Sequence, residues 1–160
     1  MAYDSKEDTN KHIERVQELL CTVTNQITFR GKQHDASKMC EPEKPIFDTV
    51  TTKLCGMTYG SEEYKASLVD MKPALDHHYT YNRHHPEHFQ PEADATFKAS
   101  PITCMTLIDL MEMLADWKAA GERHFDGNLE RSLEINIKRF NIPNAIIDVL
   151  KNTAKDLGWM

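Results

Sequence analysis

The residues best suited to chemistry are histidines, and they are unevenly spread. Of the eight in the 160-residue chain, five lie in the stretch DHHYTYNRHHPEH: His77, His78, His84, His85 and His88. A neutral imidazole offers a lone pair to divalent transition metals, and a nearby carboxylate completes the donor types such ions take. Upstream, KQHDASK sets His34 directly before Asp35, with Lys38 three positions further on. Two other sources of ligands are His12 near the start and the acids Asp109, Glu112 and Asp116, whose spacings of three and four put them on one stripe of a helix. Each feature has an ordinary alternative. His12 could be satisfied by a backbone carbonyl, the acidic stripe could face water, Lys38 could be a surface lysine, and a histidine-rich loop could take up metal adventitiously.

Helices must position these groups. Ile13, Val16, Leu19, Leu20, Val23 and Ile27 recur at helical period, which predicts a first helix from Asp4 or Ser5 to a break at Arg30-Gly31, with His12 on or beside its buried face. His34-Asp35 then opens a short helical turn. Pro42, Pro45, Gly56 and Gly60 predict loops over residues 40–60 around a short helix at 47–54. Ser61-Glu62-Glu63 starts another helix that reaches Tyr81, with Pro73 kinking or splitting it. The chain leaves regular structure near Pro86. Ser100-Pro101 reads as a helix start, and the apolar stretch that follows predicts a central helix ending before Gly121. Two more helices are expected over 129–140 and 143–157, the last stopping at Gly158. No β-alternation is sustained. The expectation is an all-α, compact helical bundle of five to seven helices in a single domain spanning residues 1–160.

Composition narrows the function classes. A hydrophobic fraction of 40% with 28% charged residues is that of an ordinary globular protein. A net charge of −6 without a Lys/Arg run argues against sequence-independent binding to duplex nucleic acid. It leaves room for a small phosphorylated substrate, since bound divalent metal would supply positive charge. Cys21, Cys40, Cys55 and Cys104 form no C-x-x-C pair, and residues 1–15 lack the apolar core of a signal peptide. The expectation is a cytoplasmic protein with no membrane span, its thiols reduced and packed as small core residues.

The order of these motifs carries a resemblance. HIERV, HDASK and LADWKAA are similar to the successive motifs of the HD-domain superfamily of metal-dependent phosphohydrolases: a histidine, a later His-Asp pair with a lysine, and a final aspartate on a buried helix. The likeness runs over residues 9–120 and leaves the C-terminal helices unmatched. Ser37 stands where many members have glycine. The chain also resembles a small uncharacterised family from phages and bacteria that shares the His-Asp-x-Ser-Lys and His-His-Pro-Glu-His signatures.

The resemblance implies one or two divalent ions (Mn, Fe, Ni, Co or Zn) and hydrolysis of a phosphate ester or anhydride, with a nucleotide the foremost substrate. His12, His34, Asp35 and Asp116 would hold the first ion. His78 and His85, seven apart, are favoured for the second, with His77, His84 and His88 as alternates there and Asp109 as the alternate acid. Asp35 could bridge the ions, Lys38 and Arg83 would contact phosphate, and His84 would protonate the leaving group. Two other functions stay open: a di-iron oxygenase of the same ligand set, and a non-catalytic module that binds a nucleotide or a protein. A homo-oligomer is also left open.

Overall fold

The computed structural model describes residues 4–54, 62–123 and 127–160. Cys55, Gly56, Gly60 and Ser61, on which part of the sequence reading falls, lie outside the described residues. The all-α expectation holds: seven α-helices and three 3₁₀ turns make up the regular structure, with no strand among the described residues. The chain divides into two compact units, Met1–His34 and Asp35–Met160.

The first unit is essentially one helix, α1 (Lys6–Gln33). Glu7 and Asp8 in its first turn and Arg30 and Lys32 in its last complement the helix dipole. The break expected at Arg30-Gly31 comes later, at His34, because a single glycine costs a helix only about 1 kcal/mol relative to alanine. The apolar stripe has the expected period but not the expected burial. Ile13, Val16, Leu19, Leu20, Val23 and Ile27 are between 38% and 59% exposed, and His12 is exposed with them. A lone helix has no second element in its own unit to cover a stripe.

The second unit begins at Asp35, which adopts the left-handed conformation (φ 57°) that aspartate tolerates better than most residues. A 3₁₀ turn, Ala36–Met39, follows, and then α2 (Glu43–Leu54) and α3 (Glu62–Tyr81), which pack together. Pro73 does not split α3; Met71 and Ala74 on either side are buried, so packing holds the helix through it. A short α4 (Gln90–Ala95), which the sequence reading missed, leads to α5 (Leu107–Gly121), α6 (Leu129–Phe140) and α7 (Asn144–Asp156). These last three helices share the main core. Leu110, Met113, Leu114 and Trp117 of α5 meet Leu129 and Leu133 of α6 and Leu150 and Ala154 of α7, and Trp117 stacks on Phe140 with ring centroids 6.5 Å apart. The expected boundaries of α6 stand. Asn128 caps its start, accepting from Arg131 N–H at 2.8 Å, and Asn141 ends it in the left-handed conformation. Cys21 and Cys40 are exposed and Cys104 is half-buried, so none of these three is the core residue the sequence suggested.

The start of α5 differs instructively. Ser100-Pro101 opens only a 3₁₀ turn, Pro101–Cys104, because the Ser100 hydroxyl donates to the Phe140 carbonyl (2.7 Å) instead of capping a helix. The cap is Thr106. Its Oγ1 accepts from the Asp109 N–H (3.2 Å), and Asp109 Oδ2 accepts from the Thr106 N–H (2.9 Å). Asp109 is fully buried and also takes a bidentate pair from Arg83, Nε to Oδ1 at 3.2 Å and Nη2 to Oδ2 at 3.0 Å. Asp109 is thus a structural acid, held by Thr106 and Arg83. Replacing it by alanine removes the reciprocal half of the capping box and leaves Arg83 without its carboxylate. We expect Asp109→Ala to lower stability in urea unfolding by about 3 kcal/mol. A loss under about 1 kcal/mol would show that water substitutes for both partners.

Candidate metal centre

The histidine cluster is assembled where α3 ends. His78 and Asn82 share a face on the last turn, one helical turn apart, and the Asn82 N–H makes the closing bond to the His78 carbonyl (2.9 Å). Beyond it, Pro86 forces the preceding residue out of helical conformation, so His85 is extended (φ −94°, ψ 128°) and the chain folds back. That reversal brings Nε2 of His85 to 2.9 Å from Nε2 of His78, and sets the His84 and His85 rings against each other, tilted by 44° with centroids 4.1 Å apart. Asp35 arrives from the start of the unit. Its Oδ1 lies 3.2 Å from His78 Nε2 and 3.5 Å from His84 Nε2. Asp35, His78, His84 and His85 each offer a ligand atom, all within 4.8 Å of one another. His78 and His84 are almost fully buried, with 1% and 2% exposure.

The outward-facing nitrogens decide what the centre requires. His78 Nδ1 lies 2.8 Å from Oε2 of Glu43, and His84 Nδ1 lies 3.2 Å from Oε1 of Glu112. A carboxylate only accepts, so both Nδ1 atoms carry hydrogen. In the neutral imidazoles both Nε2 lone pairs then point toward Asp35 Oδ1, another acceptor. Acceptors converging in a buried space must be met by a donor or a cation: a hydrogen on His85 Nε2, which lies 2.9 Å from His78 Nε2, an added proton, or a metal ion. Three imidazole nitrogens and a carboxylate oxygen suit zinc, iron, manganese, cobalt or nickel. The donor set therefore fits a divalent metal.

The electrostatics agree. Burial alone would raise the Asp35 carboxyl, but contacts with His78, His84 and Lys38 outweigh it and hold the group far below the usual carboxylate range. Burial, with the neighbouring imidazoles of His84 and His78, lowers His85 to about 3 against a weaker opposing pull from Asp116, so its ring keeps a lone pair at ordinary pH.

Of the ligands expected from sequence, Asp35, His78 and His85 are thus brought together, joined by His84. His12 lies on α1 and His34 is its C-cap; both belong to the first unit. Asp116 stands one turn beyond Glu112 on α5, half-buried and near enough for its charge to act on His85. His77 turns its Nδ1 to Oε1 of Glu43 at 2.7 Å, and His88 donates from Nδ1 to the Tyr79 carbonyl at 3.0 Å. Lys38 lies against Asp35, Nζ to Oδ2 at 2.6 Å, and keeps 35% of its side chain exposed. Arg83, expected at phosphate, is held by Asp109. Sequence reasoning missed Glu43, a lone glutamate between two prolines, and gave Asn82 and Ser37 no role in the site. Ser37, noted only as a departure from glycine, accepts from the Asn82 amide at 2.8 Å.

Among the described residues no helix is long and apolar enough to cross a membrane. The chain matches no curated protein and no solved structure. One family covers residues 1–157, nearly the whole sequence, and its description records a family of unknown function. The histidine-rich centre accordingly belongs to a chain that is a member of DUF5662.

Proposed function

We propose that this protein is a metal-dependent phosphohydrolase acting on a nucleotide or another small phosphorylated metabolite. The observation that carries the reading is the convergence of Asp35, His78, His84 and His85 on one buried point. These four residues would hold a divalent transition metal. When bound, such an ion supplies Lewis-acid activation of water and neutralises charge on phosphoryl oxygens. The motif order described above supports a phosphorylated substrate over other electrophiles.

The remaining roles follow from the chain's own geometry. Lys38 is held beside the centre by Asp35 and is partly exposed, so its ammonium can turn to a non-bridging phosphoryl oxygen without a new backbone arrangement. The Lys38 ammonium also lies over the Phe47 ring (5.6 Å to the centroid), which limits where it can swing. We assign His84 to the ligand set, because its burial and the carboxylate at its Nδ1 leave it poorly placed to give a proton to a leaving group.

Elemental analysis of protein loaded with each ion in turn should find at least one tightly held equivalent of Mn, Fe, Co, Ni or Zn. His78→Ala and His85→Ala should each abolish it; metal retained by both variants would place the site elsewhere. The loaded protein should release phosphate from some member of a panel of nucleotides and simple phosphate esters. Lys38→Ala should keep its metal and lose about 10- to 100-fold in kcat/KM, the scale of a charged hydrogen bond. Full metal occupancy with no turnover across the panel would refute the hydrolase, and oxygen consumption by the iron-loaded form would replace it with an oxygenase.

A further inference from the structure

We infer that Glu43 is a positioning residue for the metal centre, holding His78 with its Nδ1 protonated so that Nε2 faces Asp35 and His85. The inference rests on the metal reading above and adds to it a residue outside the ligand set. Glu43 lies in the first turn of α2 and is completely buried. Its carboxylate has left water and must be met by donors. It receives His77 at one oxygen (2.7 Å) and His78 at the other (2.8 Å). Both carboxylate oxygens therefore face imidazole nitrogens, and a carboxylate can only accept from them.

The neighbouring amide points the same way. Asn82 Nδ2 has two hydrogens, and the Ser37 hydroxyl and the His78 carbonyl, both at 2.8 Å, take them. No hydrogen remains for His78 Nδ1, which sits 3.0 Å from the same nitrogen. The Ser37 hydroxyl lies farther off, 3.3 Å from His78 Nδ1, and the shortest contact of that nitrogen is with the Glu43 carboxylate, an acceptor, so the hydrogen between them belongs to the imidazole. Fixing that proton on Nδ1 leaves Nε2 as the atom that can bind metal, and the negative carboxylate behind the ring raises its basicity. One carboxylate thus separates the two histidines of the pair: His78 is aimed inward, while His77, 31% exposed at its side chain, serves as the second anchor that sets the rotation of Glu43.

Two measurements test this on the full chain. Zinc affinity is read by competition with a chromophoric chelator for wild type, Glu43→Gln and Glu43→Ala, with circular dichroism showing that each is folded. Side-chain ¹⁵N–¹H correlation of histidine-labelled, zinc-loaded wild type reads which His78 nitrogen bears hydrogen. We expect affinity to fall about 10-fold in Glu43→Gln and about 100-fold in Glu43→Ala, with hydrogen on His78 Nδ1. Wild-type affinity in a folded Glu43→Gln protein, or an unprotonated His78 Nδ1, would overturn the inference while leaving the metal reading intact. Should Glu43→Ala fail to fold, Glu43→Gln and the wild-type spectrum decide. Failure of the wild type to take up zinc or any other divalent ion would instead overturn the metal reading, and this inference with it.

Discussion

The centre is organised by converging acceptors that must be met by a hydrogen or by a cation. Asp35 Oδ1 faces His78 Nε2 and His84 Nε2 at 3.2 and 3.5 Å, while the other nitrogen of each ring already faces a carboxylate. Each imidazole lies between two acceptors and has, when neutral, only one hydrogen. Much of the unit's architecture serves to keep these groups from relaxing apart. The left-handed turn at Asp35 and the Pro86 reversal deliver the carboxylate and the His84-His85 pair, and the buried Glu43 at the start of α2 holds His78 from behind.

Helix α5 works as the second jaw of this arrangement. Asp109 and Glu112, one turn apart, grip the consecutive residues Arg83 and His84 of the segment that folds back after α3. The acidic stripe is therefore not a face turned to water: Asp109 is fully buried and the Glu112 side chain is 10% exposed. The Arg83 guanidinium also lies over the Phe89 ring, 4.8 Å from its centroid, which ties the same segment to the 3₁₀ turn that follows. Register between α5 and this segment is set at two adjacent points, the Arg83–Asp109 ion pair and the His84–Glu112 contact, and the apolar face of α5 packs on α6 and α7 independently.

Legibility in the sequence followed the range of each interaction. The helical periods of α5 and α6 were readable because local spacing alone sets which face is apolar, and Asn128 and Asn141 act on their own neighbours. The true start of α5 was not, because the Ser100 hydroxyl is diverted to Phe140, a partner forty residues away. Within the site, Asp35, His78 and His85 were legible as metal-type residues at suggestive spacing, and His84 was legible as a proton donor and as an alternate ligand. Glu43 carried no local signal, since its significance lies wholly in meeting His77 and His78 from another helix. The stripe on α1 shows the converse: period predicts which face is apolar, but burial depends on what a unit supplies to cover it.

The distribution of the four ligand residues along the chain bears on how the centre would behave outside the native state. His78, His84 and His85 come from one short segment, whereas Asp35 comes from the far side of α2 and α3. A denatured chain would keep the three imidazoles close together and lose only the carboxylate. It would thus retain part of the native affinity for soft divalent ions. Because ligands stabilise a fold only through their preference for it over the unfolded ensemble, metal would raise the melting temperature less than its native affinity alone implies. The shortfall would come from the unfolded chain, with His78, His84 and His85 still acting as a chelating peptide.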